Sequence, residues 1–351
     1  MLVFNELIAQ AVNLHASDIH FTVGIPPTVR IDGELHHIGD IRCTPAEIEE
    51  MAMSIMGEHH KETLANNGEV DFAYSIPGEG RYRINVFRQR GTLAVAVRIL
   101  NLNIPSPEEL GLPKALVNMC QKKRGLVLVT GPTGAGKSTT LASLIDVINQ
   151  TSKQHIITLE DPIEYLHRHN KSIVNQREMG SDSKNYANAL RAALREDPDV
   201  LLVGEMRDLE TISTAITAAE TGHLVLSTLH TVGAANTIDR IVDVFPPYQQ
   251  QQIRTQLADV LECVVSQQLI ARAEGEGRVA AFEVMLANSA IRNHIREAKT
   301  YQIPTVMQTN RQMGMITMDD SLLELYQRGE ISAVSALRCA QDPVALRKRV
   351  Y

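Results

Sequence analysis

The feature that most constrains this chain is a glycine-rich segment, GPTGAGKST, placed between an apolar run and a helical pattern. The apolar run covers 125–130, and the helical pattern covers 138–150. The segment matches GxxxxGK[ST], a phosphate-binding loop that folds between a strand and a helix. Its residues are Gly131, Pro132, Thr133, Gly134, Ala135, Gly136, Lys137, Ser138 and Thr139. The alternative, a chance glycine-rich turn, does not explain the flanking strand and helix, so the sequence predicts nucleotide binding.

The chemistry of the loop follows from its residue types. Glycines let backbone N–H groups converge on phosphate oxygens, and the start of the following helix adds partial positive charge. Lys137 has the reach to contact the β- and γ-phosphates, and the hydroxyl of Ser138 is a ligand for Mg²⁺.

Further apolar runs indicate a parallel sheet around this loop. They are short, rich in β-branched residues and not alternating, as in strands buried on both faces, and they cover 155–159, 200–203 and 224–229. Helical patterns separate them at 184–195, 208–221 and 233–243. Strands that alternate with helices predict an α/β fold with a parallel sheet.

The chain divides into two predicted domains. Residues 1–100 read as an α+β domain, with a helix at 4–14, an N-capped helix from Thr44, and short strands. Those strands are predicted at 18–23, 28–31, 34–38, 70–75, 81–89 and 93–99, with a hairpin turn at Asp32 and Gly33. Residues 101–114 are proline-rich and predict a linker. The second domain is 115–351, and its part from about 248 to 351 is predicted to be a helical tail with one strand-like piece at 279–285.

Composition excludes several classes of protein. The 351 residues are 44% hydrophobic and 21% charged, which is typical of a globular chain. A net charge of −7 and an aromatic content of 4% argue against a nucleic-acid partner. The four cysteines lie far apart and predict neither a zinc site nor a disulfide framework. Neither a signal peptide nor an apolar run long enough to span a membrane is evident, so we expect a cytoplasmic protein.

Acidic residues follow two of the apolar runs. Glu160, Asp161 and Glu164 follow 155–159, and Glu205 and Asp208 follow 200–203. Both groups are expected at the carboxyl edge of the sheet, where ligands bind in open α/β folds. One acid should help to hold Mg²⁺, and another should orient the attacking water. Asp208 and Asp161 have helix capping as an alternative, whereas we favour a functional role for Glu164 and Glu205; spacing does not say which is the base.

Histidines and arginines complete the candidate set. His230 ends the run at 224–229, where it could sense a γ-phosphate, whereas His223 precedes that run and should lie far from the same nucleotide. Arg81 and Arg83 share one face of a predicted strand. These arginines have two interpretations. Either they form a solvent-exposed strand face, or one of them contacts a γ-phosphate across a domain or subunit boundary.

Together these segments resemble the RecA-like ATPases of the secretion superfamily, and in particular the branch that retracts type IV pili in twitching motility. After the phosphate loop, ITLEDPIEYLH (157–167) is similar to the acidic box of that family and REDPDVLLVGEMRDLETI (195–212) to its Walker B region. TAAETGHLVLSTLHT (217–231) is similar to its histidine box, and AIRNHIREAKTYQI (290–303) to its C-terminal retraction motif. SDIH (17–20) and RIDG (30–33) resemble the start of its PAS-like N-terminal domain.

The resemblance implies roles and partners. Glu164 corresponds to the catalytic glutamate, Glu205 to the Walker B acid that binds Mg²⁺ through water, and His223 and His230 to the box histidines. Arg81 and Arg83 match an arginine-bearing strand of the PAS-like domain. The family implies ATP as substrate, Mg²⁺ as cofactor and a homohexameric motor at the cytoplasmic side of the inner membrane. Its partner there is a pilus platform protein, and an accessory retraction ATPase is a further candidate partner.

Departures from the family pattern keep alternatives open. LVLSTLHT is as similar to the pilus-extension and type II secretion assembly ATPases, and His294 stands where leucine is usual. Against the extension branch, the cysteines do not form a four-cysteine zinc motif, and we expect no long extra N-terminal domain. An accessory retraction ATPase is the third alternative. In the retraction motif, Ile291 and Ile295 share one helix face, so the helix is either amphipathic with a solvated arginine stripe or a transmitter of the ATPase cycle.

Overall fold

A computed structural model of the chain describes residues 3–31, 33–76, 80–99, 103–275 and 277–350. It contains two compact units. The first comprises Met1–Asn103 with Glu164–Leu166, and the second comprises Ile104–Ile163 with His167–Tyr351. Within the described ranges, no helix is both long and apolar enough to cross a membrane.

The first unit contains an antiparallel sheet in the order β3-β2-β1-β6-β5-β4. Its strands are β1 (Asp18–Phe21), β2 (Thr28–Ile31), β3 (Glu34–His37), β4 (Glu69–Ile76), β5 (Gly80–Gln89) and β6 (Thr92–Ile99). Its helices are α1 (Phe4–Asn13), α2 (Pro45–Ile55) and α3 (Glu58–Asn67). These elements confirm the predicted strands and the helix at the start of the chain, whereas the helical pattern predicted from Thr44 to about residue 66 is divided into α2 and α3. Asp32 of the predicted hairpin turn, and residues 100–102 at the start of the predicted linker, lie outside the described residues.

Local sequence signals explain where these elements begin and how they pack. Thr44 caps α2 in a capping box with Glu47, as predicted from the Thr-Pro-Ala-Glu sequence. Along β5 the buried side chains alternate with outward ones, and Tyr82 and Ile84 are fully buried. They join Ile8 of α1 and other apolar side chains in one core.

The second unit contains a sheet in the order β13-β12-β7-β11-β10-β8-β9. Its strands are β7 (Gly125–Thr130), β8 (His155–Glu160), β9 (Ile173–Glu178), β10 (Val200–Val203), β11 (Leu224–Leu229), β12 (Leu261–Ala271) and β13 (Arg278–Leu286). The pairs from β12 through β9 are parallel, and β13 pairs antiparallel with β12. The predicted parallel sheet is therefore confirmed.

Helices cover both faces of this sheet. They are α4 (Lys114–Val117), α5 (Lys137–Thr151), α6 (Tyr186–Ala193), α7 (Leu209–Glu220), α8 (Ala234–Asp243), α9 (Pro247–Val260), α10 (Ser289–Arg296), α11 (Ile303–Thr309), α12 (Met318–Gln327), α13 (Ala333–Cys339) and α14 (Pro343–Val350). Strand β7 is buried throughout: Leu126 and Leu128 pack on the side of α6 to α11, and Val127 and Val129 pack on the side of α5. Such two-sided burial explains why the run did not alternate.

The structure corrects the prediction of a helical tail from 248 onward. Strand β12 occupies 261–271 and lies inside the sheet between β7 and β13. Its polar residues, Glu262, Ser266, Gln267 and Gln268, interrupt the apolar pattern at intervals that also fit a helix. The strand-like piece at 279–285 is confirmed as β13. The edge strand β9 was not predicted, because a half-exposed IVNQRE segment carries a weak strand signal.

Candidate functional site

The loop between β7 and α5 has the backbone conformation that a phosphate cradle needs. Gly131, Gly134 and Gly136 have φ of +142°, +78° and +85°, a region that other L residues rarely adopt. Lys137 is buried, and its Nζ donates hydrogen bonds to the carbonyl oxygens of Gly131 at 2.9 Å and Pro132 at 3.0 Å. The ammonium group is therefore held within the loop, where the start of α5 also favours an anion.

The other predicted nucleotide-binding residues differ in exposure. Pro132, Thr133 and Ser138 are exposed, Thr139 is half-buried and Ala135 is buried. Because Ser138 lies in the first turn of α5, its hydroxyl is accessible to a ligand bound at the loop.

A residue that the sequence analysis missed supports the loop from β12. A Cβ at Gly131 would lie 2.2 Å from the carbonyl oxygen of Gln267, and one at Gly136 would lie 3.0 Å from its Nε2. Gln267 is buried, and its Oε1 accepts a hydrogen bond from Thr140 Oγ1 at 2.8 Å. Both glycines are therefore required for this close packing, and the missed strand explains why Gln267 was not a candidate.

The structure brings Glu205 and His230 together at the carboxyl edge of the sheet. Glu205 follows β10, and His230 follows the neighbouring strand β11. Glu205 Oε2 lies 3.4 Å from His230 Nε2, and Glu205 Oε1 lies 2.7 Å from Arg207 Nε. The glutamate is mostly buried, with 17% of its side chain exposed. This is the edge at which the phosphate loop follows β7, so three of the predicted groups lie along one side of the sheet.

The structure separates His223 from this edge, as expected from its place before β11. Its Nδ1 lies 2.9 Å from the carbonyl oxygen of Ala218 and 3.3 Å from Thr221 Oγ1, within the turn from α7 to β11. His223 therefore shapes a turn at the opposite end of the strand from His230.

Two predicted helix caps have different outcomes. Asp208 caps α7, where its Oδ1 accepts a hydrogen bond from the N–H of Thr211 at 2.9 Å, so this prediction is confirmed. Asp161 begins no helix, because residues 161–170 are irregular, so that prediction is wrong.

The loop that carries His230 is held by two polar side chains of the sheet. The N–H of Gly233 donates to Ser266 Oγ at 3.0 Å, and the N–H of Ala234 donates to Glu283 Oε1 at 2.6 Å. Burial raises the pKa of Glu283, against the opposing effect of its hydrogen bonds. Because these contacts fix the start of α8, they also fix the direction in which the chain leaves His230.

A tyrosine lies against the turn that precedes Glu205. A Cβ at Gly204 would come within 2.8 Å of the hydroxyl of Tyr186 and 3.1 Å of the carbonyl oxygen of Leu159, so a larger residue there would require a shift of its neighbours. Burial, followed by the nearby charges of Asp161 and Glu205, raises the pKa of Tyr186. Its hydroxyl therefore stays protonated at neutral pH and is available as a donor at this edge.

Glu164 lies in the irregular segment after β8 and is exposed. The segment is attached to β9 on either side of the glutamate. The N–H of Ile163 donates to Glu178 Oε2 at 3.1 Å, and the N–H of His167 donates to Gln176 Oε1 at 2.8 Å. Gln176 and Glu178 were not candidates from the sequence, because β9 was missed.

Arg81 and Arg83 lie on the face of β5 opposite to the buried Tyr82. Arg81 is half-buried, and Arg83 is exposed with its Nε 3.7 Å from Asp71 Oδ1. Their shared strand face agrees with the sequence analysis, and their contribution to phosphate chemistry stays a prediction.

The residues of the site fit Mg²⁺ only together with phosphate and water. In the part of the chain that the structure describes, no group of three or more His, Cys, Asp or Glu side chains could hold a metal ion. Ser138 and Glu205 offer a hydroxyl and a carboxylate, the oxygen ligands that Mg²⁺ prefers while it keeps several waters. That donor set is compatible with Mg²⁺ bound chiefly by nucleotide phosphates.

A glycine-rich loop between a buried parallel strand and a helix, with an acid and a histidine at the same sheet edge, defines a P-loop nucleotide-binding protein. The chain belongs to the family described as Type II/IV secretion system protein, which it matches over residues 1–338. This membership and the mixed α/β architecture confirm the family and the fold class expected from the motifs.

Relatives of known name share most of the chain. It is 48% identical to the "Twitching motility protein" of Neisseria gonorrhoeae, over 90% of this chain and 84% of the relative. It is 45% identical to the type IV pilus retraction ATPase PilT of Pseudomonas aeruginosa, over 96% of this chain and 98% of the relative. The solved structure of the pilus retraction motor PilT with bound ADP superposes with a TM-score of 0.93 at 52% identity, covering 99% of this chain and 100% of that one.

Proposed function

We propose that this protein hydrolyses Mg²⁺-ATP and uses the energy to drive type IV pilus retraction, the motion behind twitching motility. The observation that carries the proposal is the similarity to two proteins named for that activity, at 45–48% identity over at least nine-tenths of the chain. The phosphate loop, with Glu205 beside His230, supplies the corresponding chemistry.

Each residue of the site has a distinct task in this proposal. Lys137 and the loop N–H groups bind the phosphates, and Ser138 and Glu205 hold Mg²⁺, the latter through water. When bound, the ion withdraws charge from the phosphate oxygens. Glu164 orients the attacking water and accepts its proton. His230, whose Nε2 lies 3.4 Å from Glu205 Oε2, responds to the γ-phosphate, whereas His223 supports the turn before β11 and acts only indirectly.

We further propose a homohexamer that works at the cytoplasmic face of the inner membrane. Its partner there is the pilus platform protein, and an accessory retraction ATPase is a second candidate. Resemblance to the family supports the ring, and it also motivates the assignment of Arg81 and Arg83 as arginines that assist hydrolysis.

The chemical part is tested with two substitutions. Lys137→Ala should lose both nucleotide affinity and turnover, because phosphate charge is left uncompensated. Glu164→Gln should bind ATP normally but lose about two or more orders of magnitude in kcat, since only water activation is removed. Phosphate release and the Kd of a fluorescent ADP analogue measure both effects. Normal turnover in Glu164→Gln would mean that another residue is the general base, and Glu205 would be the next candidate.

The biological part is tested in cells that lack their retraction ATPase. Expression of this chain should restore twitching and pilus shortening, and Lys137→Ala should not. Restored pilus number or secretion in cells that lack the extension or secretion ATPase would instead favour an assembly function. Rescue that needs a second retraction ATPase in the same cell would indicate the accessory role.

A further inference from the structure

The segment from Glu160 to His167 joins the end of β8 to the irregular chain before β9, and it contains Glu164. Residues 161–167 form neither helix nor strand, and holding such a segment in one conformation costs conformational entropy. Catalysis by a carboxylate is sensitive to displacements of about 1 Å. The position of Glu164 must therefore be set by contacts of the residues around it.

One side chain ties the two ends of this segment together. Gln176 Nε2 donates to Glu160 Oε1 at 3.1 Å, while Gln176 Oε1 accepts from the N–H of His167 at 2.8 Å. The same Glu160 oxygen accepts from Thr158 Oγ1 at 2.6 Å. The amide of Gln176 thus uses both its donor and its acceptor to close the segment into a loop.

A second side chain holds the middle of the segment. Glu178 is buried, and its Oε2 accepts from the N–H of Ile163 at 3.1 Å. Ile163 directly precedes Glu164 and is itself buried. The residue next to Glu164 is therefore attached to β9 through its backbone N–H.

The parallel pairing of β8 and β9 explains why these two side chains are in reach. Thr158 pairs with Gln176 and Glu160 pairs with Glu178. Residues 176 and 178 are two apart and so share one face of β9, whereas Asn175 lies on the other face and is exposed. An edge strand with polar side chains is thereby adapted to hold a loop.

We propose that Gln176 and Glu178 are positioning residues for the reaction, which fix the segment 160–167 so that Glu164 meets the attacking water. This inference rests on the proposed role of Glu164. Neither residue is expected to touch ATP; both act through backbone N–H groups on either side of the glutamate.

Steady-state kinetics separate positioning from binding. Gln176→Leu and Glu178→Ala should each lower kcat about ten-fold or more, because Glu164 samples unproductive positions. The Kd of a fluorescent ADP analogue should stay within about two-fold, since Lys137 and its loop are untouched. Glu178→Gln keeps a neutral acceptor for Ile163 and should recover most of the lost kcat. If Glu178→Ala does not fold, the loss of kcat in Gln176→Leu tests the proposal instead. Unchanged kcat in Gln176→Leu and Glu178→Ala would overturn the proposal.

Combination with Glu164→Gln distinguishes positioning from a general structural effect. If Glu178 acts through Glu164, the double variant Glu164→Gln/Glu178→Ala should be no slower than Glu164→Gln alone. A further ten-fold loss in the double variant would mean that Glu178 acts elsewhere and would contradict the proposal. The single variant Glu164→Gln tests the catalytic role of Glu164. A wrong assignment of Glu164 is therefore distinguished from a wrong assignment of the positioning residues.

Asn175→Ala is the matched control, because it alters the opposite face of the same strand. It should keep the kcat of the unmodified protein. Hydrogen exchange supplies a direct readout: amides in 160–167 should exchange faster in Gln176→Leu than in Asn175→Ala. Equal exchange in the two variants would show that Gln176 does not hold the segment.

Discussion

At the scale of single residues, Thr140 and Gln267 form a buried hydrogen bond directly behind the phosphate loop. Gln267→Leu keeps the approximate volume but leaves the Thr140 hydroxyl without its acceptor, at a cost of about 1–3 kcal/mol. Because the carbonyl of Gln267 also packs on Gly131, we expect part of that cost to appear as weaker nucleotide binding. The measurement is the Kd of a fluorescent ADP analogue, which should rise about three-fold or more in Gln267→Leu.

Gln268→Leu is the matched control, since its side chain lies on the other face of β12 and donates to the carbonyl oxygen of Cys339 at 3.2 Å. It should leave nucleotide affinity unchanged. Equal Kd values for Gln267→Leu and Gln268→Leu would remove Gln267 from the site.

His167, in the segment 160–167, is expected to make the free energy of unfolding depend on pH. Burial lowers the pKa of His167 to about 4, and its Nδ1 has no hydrogen-bond partner among the described residues. The unfolded chain takes up this proton near pH 6.5, whereas the folded chain does so only near pH 4. Between these values the free energy of unfolding should fall as the pH falls, by at most about 1.4 kcal/mol per pH unit from this group.

Urea unfolding at pH 7 and pH 5 tests this expectation. His167→Leu should lose less stability on acidification than the unmodified protein, because the replacement has no proton to bind. His36→Gln, which removes an exposed histidine from β3, is the control. An identical loss in His167→Leu and the unmodified protein would contradict the assignment.

At the scale of secondary-structure elements, what could be predicted follows the strength of the pattern. Strands β7, β8, β10 and β11 are buried on both faces, so their apolar runs were evident. The Thr44 capping box was evident too, since it depends on residues three apart. Strands β9 and β12 contain polar side chains, which weaken the strand pattern in the sequence. Gln176, Glu178 and Gln267 were therefore not predicted as candidates, because the strands that carry them were missed.

Helix α10 shows a second limit of periodicity. Its apolar face is as predicted, with Ile291 and Ile295 buried. The arginine stripe is not simply solvated: Arg292 donates to the carbonyl oxygens of Ala258 and Asp259 at the end of α9, and to Glu262 Oε1 at 3.1 Å. Spacing within one helix carries no information about the end of another, so this contact could not be foreseen.

The contact leads to a prediction about stability. Arg292→Ala removes several charge-assisted hydrogen bonds from a side chain only 21% exposed, and should lower the free energy of unfolding by about 1–3 kcal/mol. Arg296→Ala removes a more exposed pair with Asp259 and should cost less than about 1 kcal/mol. Urea unfolding at neutral pH measures both.

Equal stabilities of these two variants would show that the contact with α9 contributes little. If Arg292→Ala is the less stable of the two variants, its lower free energy of unfolding is itself a cause of lost retraction. The two effects have to be compared before the retraction motif is assigned the role of transmitting the ATPase cycle. Arg296→Ala then becomes the cleaner probe of that hypothesis.

At the scale of the whole molecule, the sequence motifs indicated the family, which the predicted helices and strands alone did not. Five motifs in the expected order indicated the family. Each motif contains the residue types that its chemistry requires, such as the glycines at positive φ beside Lys137. Assembly is different: a ring depends on surfaces that no single motif defines. Arg81 and Arg83 of β5 are an example. A single chain shows that they share one strand face, whereas the group that they contact in a ring belongs to the assembly.

A ring makes the role of Arg83 testable. In a closed ring with head-to-tail contacts, each subunit offers its neighbour a different surface, so an arginine could serve the adjacent phosphate loop. Arg83→Ala should then lower kcat more than ATP affinity, because the arginine acts on charge that develops during hydrolysis. Its turnover number at saturating ATP measures the effect, and an unchanged value would leave Arg83 as a solvated residue paired with Asp71.

Mixed rings decide whether that help comes from the same subunit or from a neighbour. Lys137→Ala lacks a working loop but keeps Arg83, and Arg83→Ala keeps the loop but lacks the arginine. If Arg83 acts across a subunit contact, co-expression should restore activity, because about a quarter of the contacts in randomly mixed rings pair an intact loop with an intact arginine. Action within one subunit predicts no recovery, since no subunit then has both groups. Rings purified through two different affinity tags, one on each variant, and assayed for phosphate release should distinguish the two arrangements, and rings that carry both tags on Arg83→Ala subunits give the baseline.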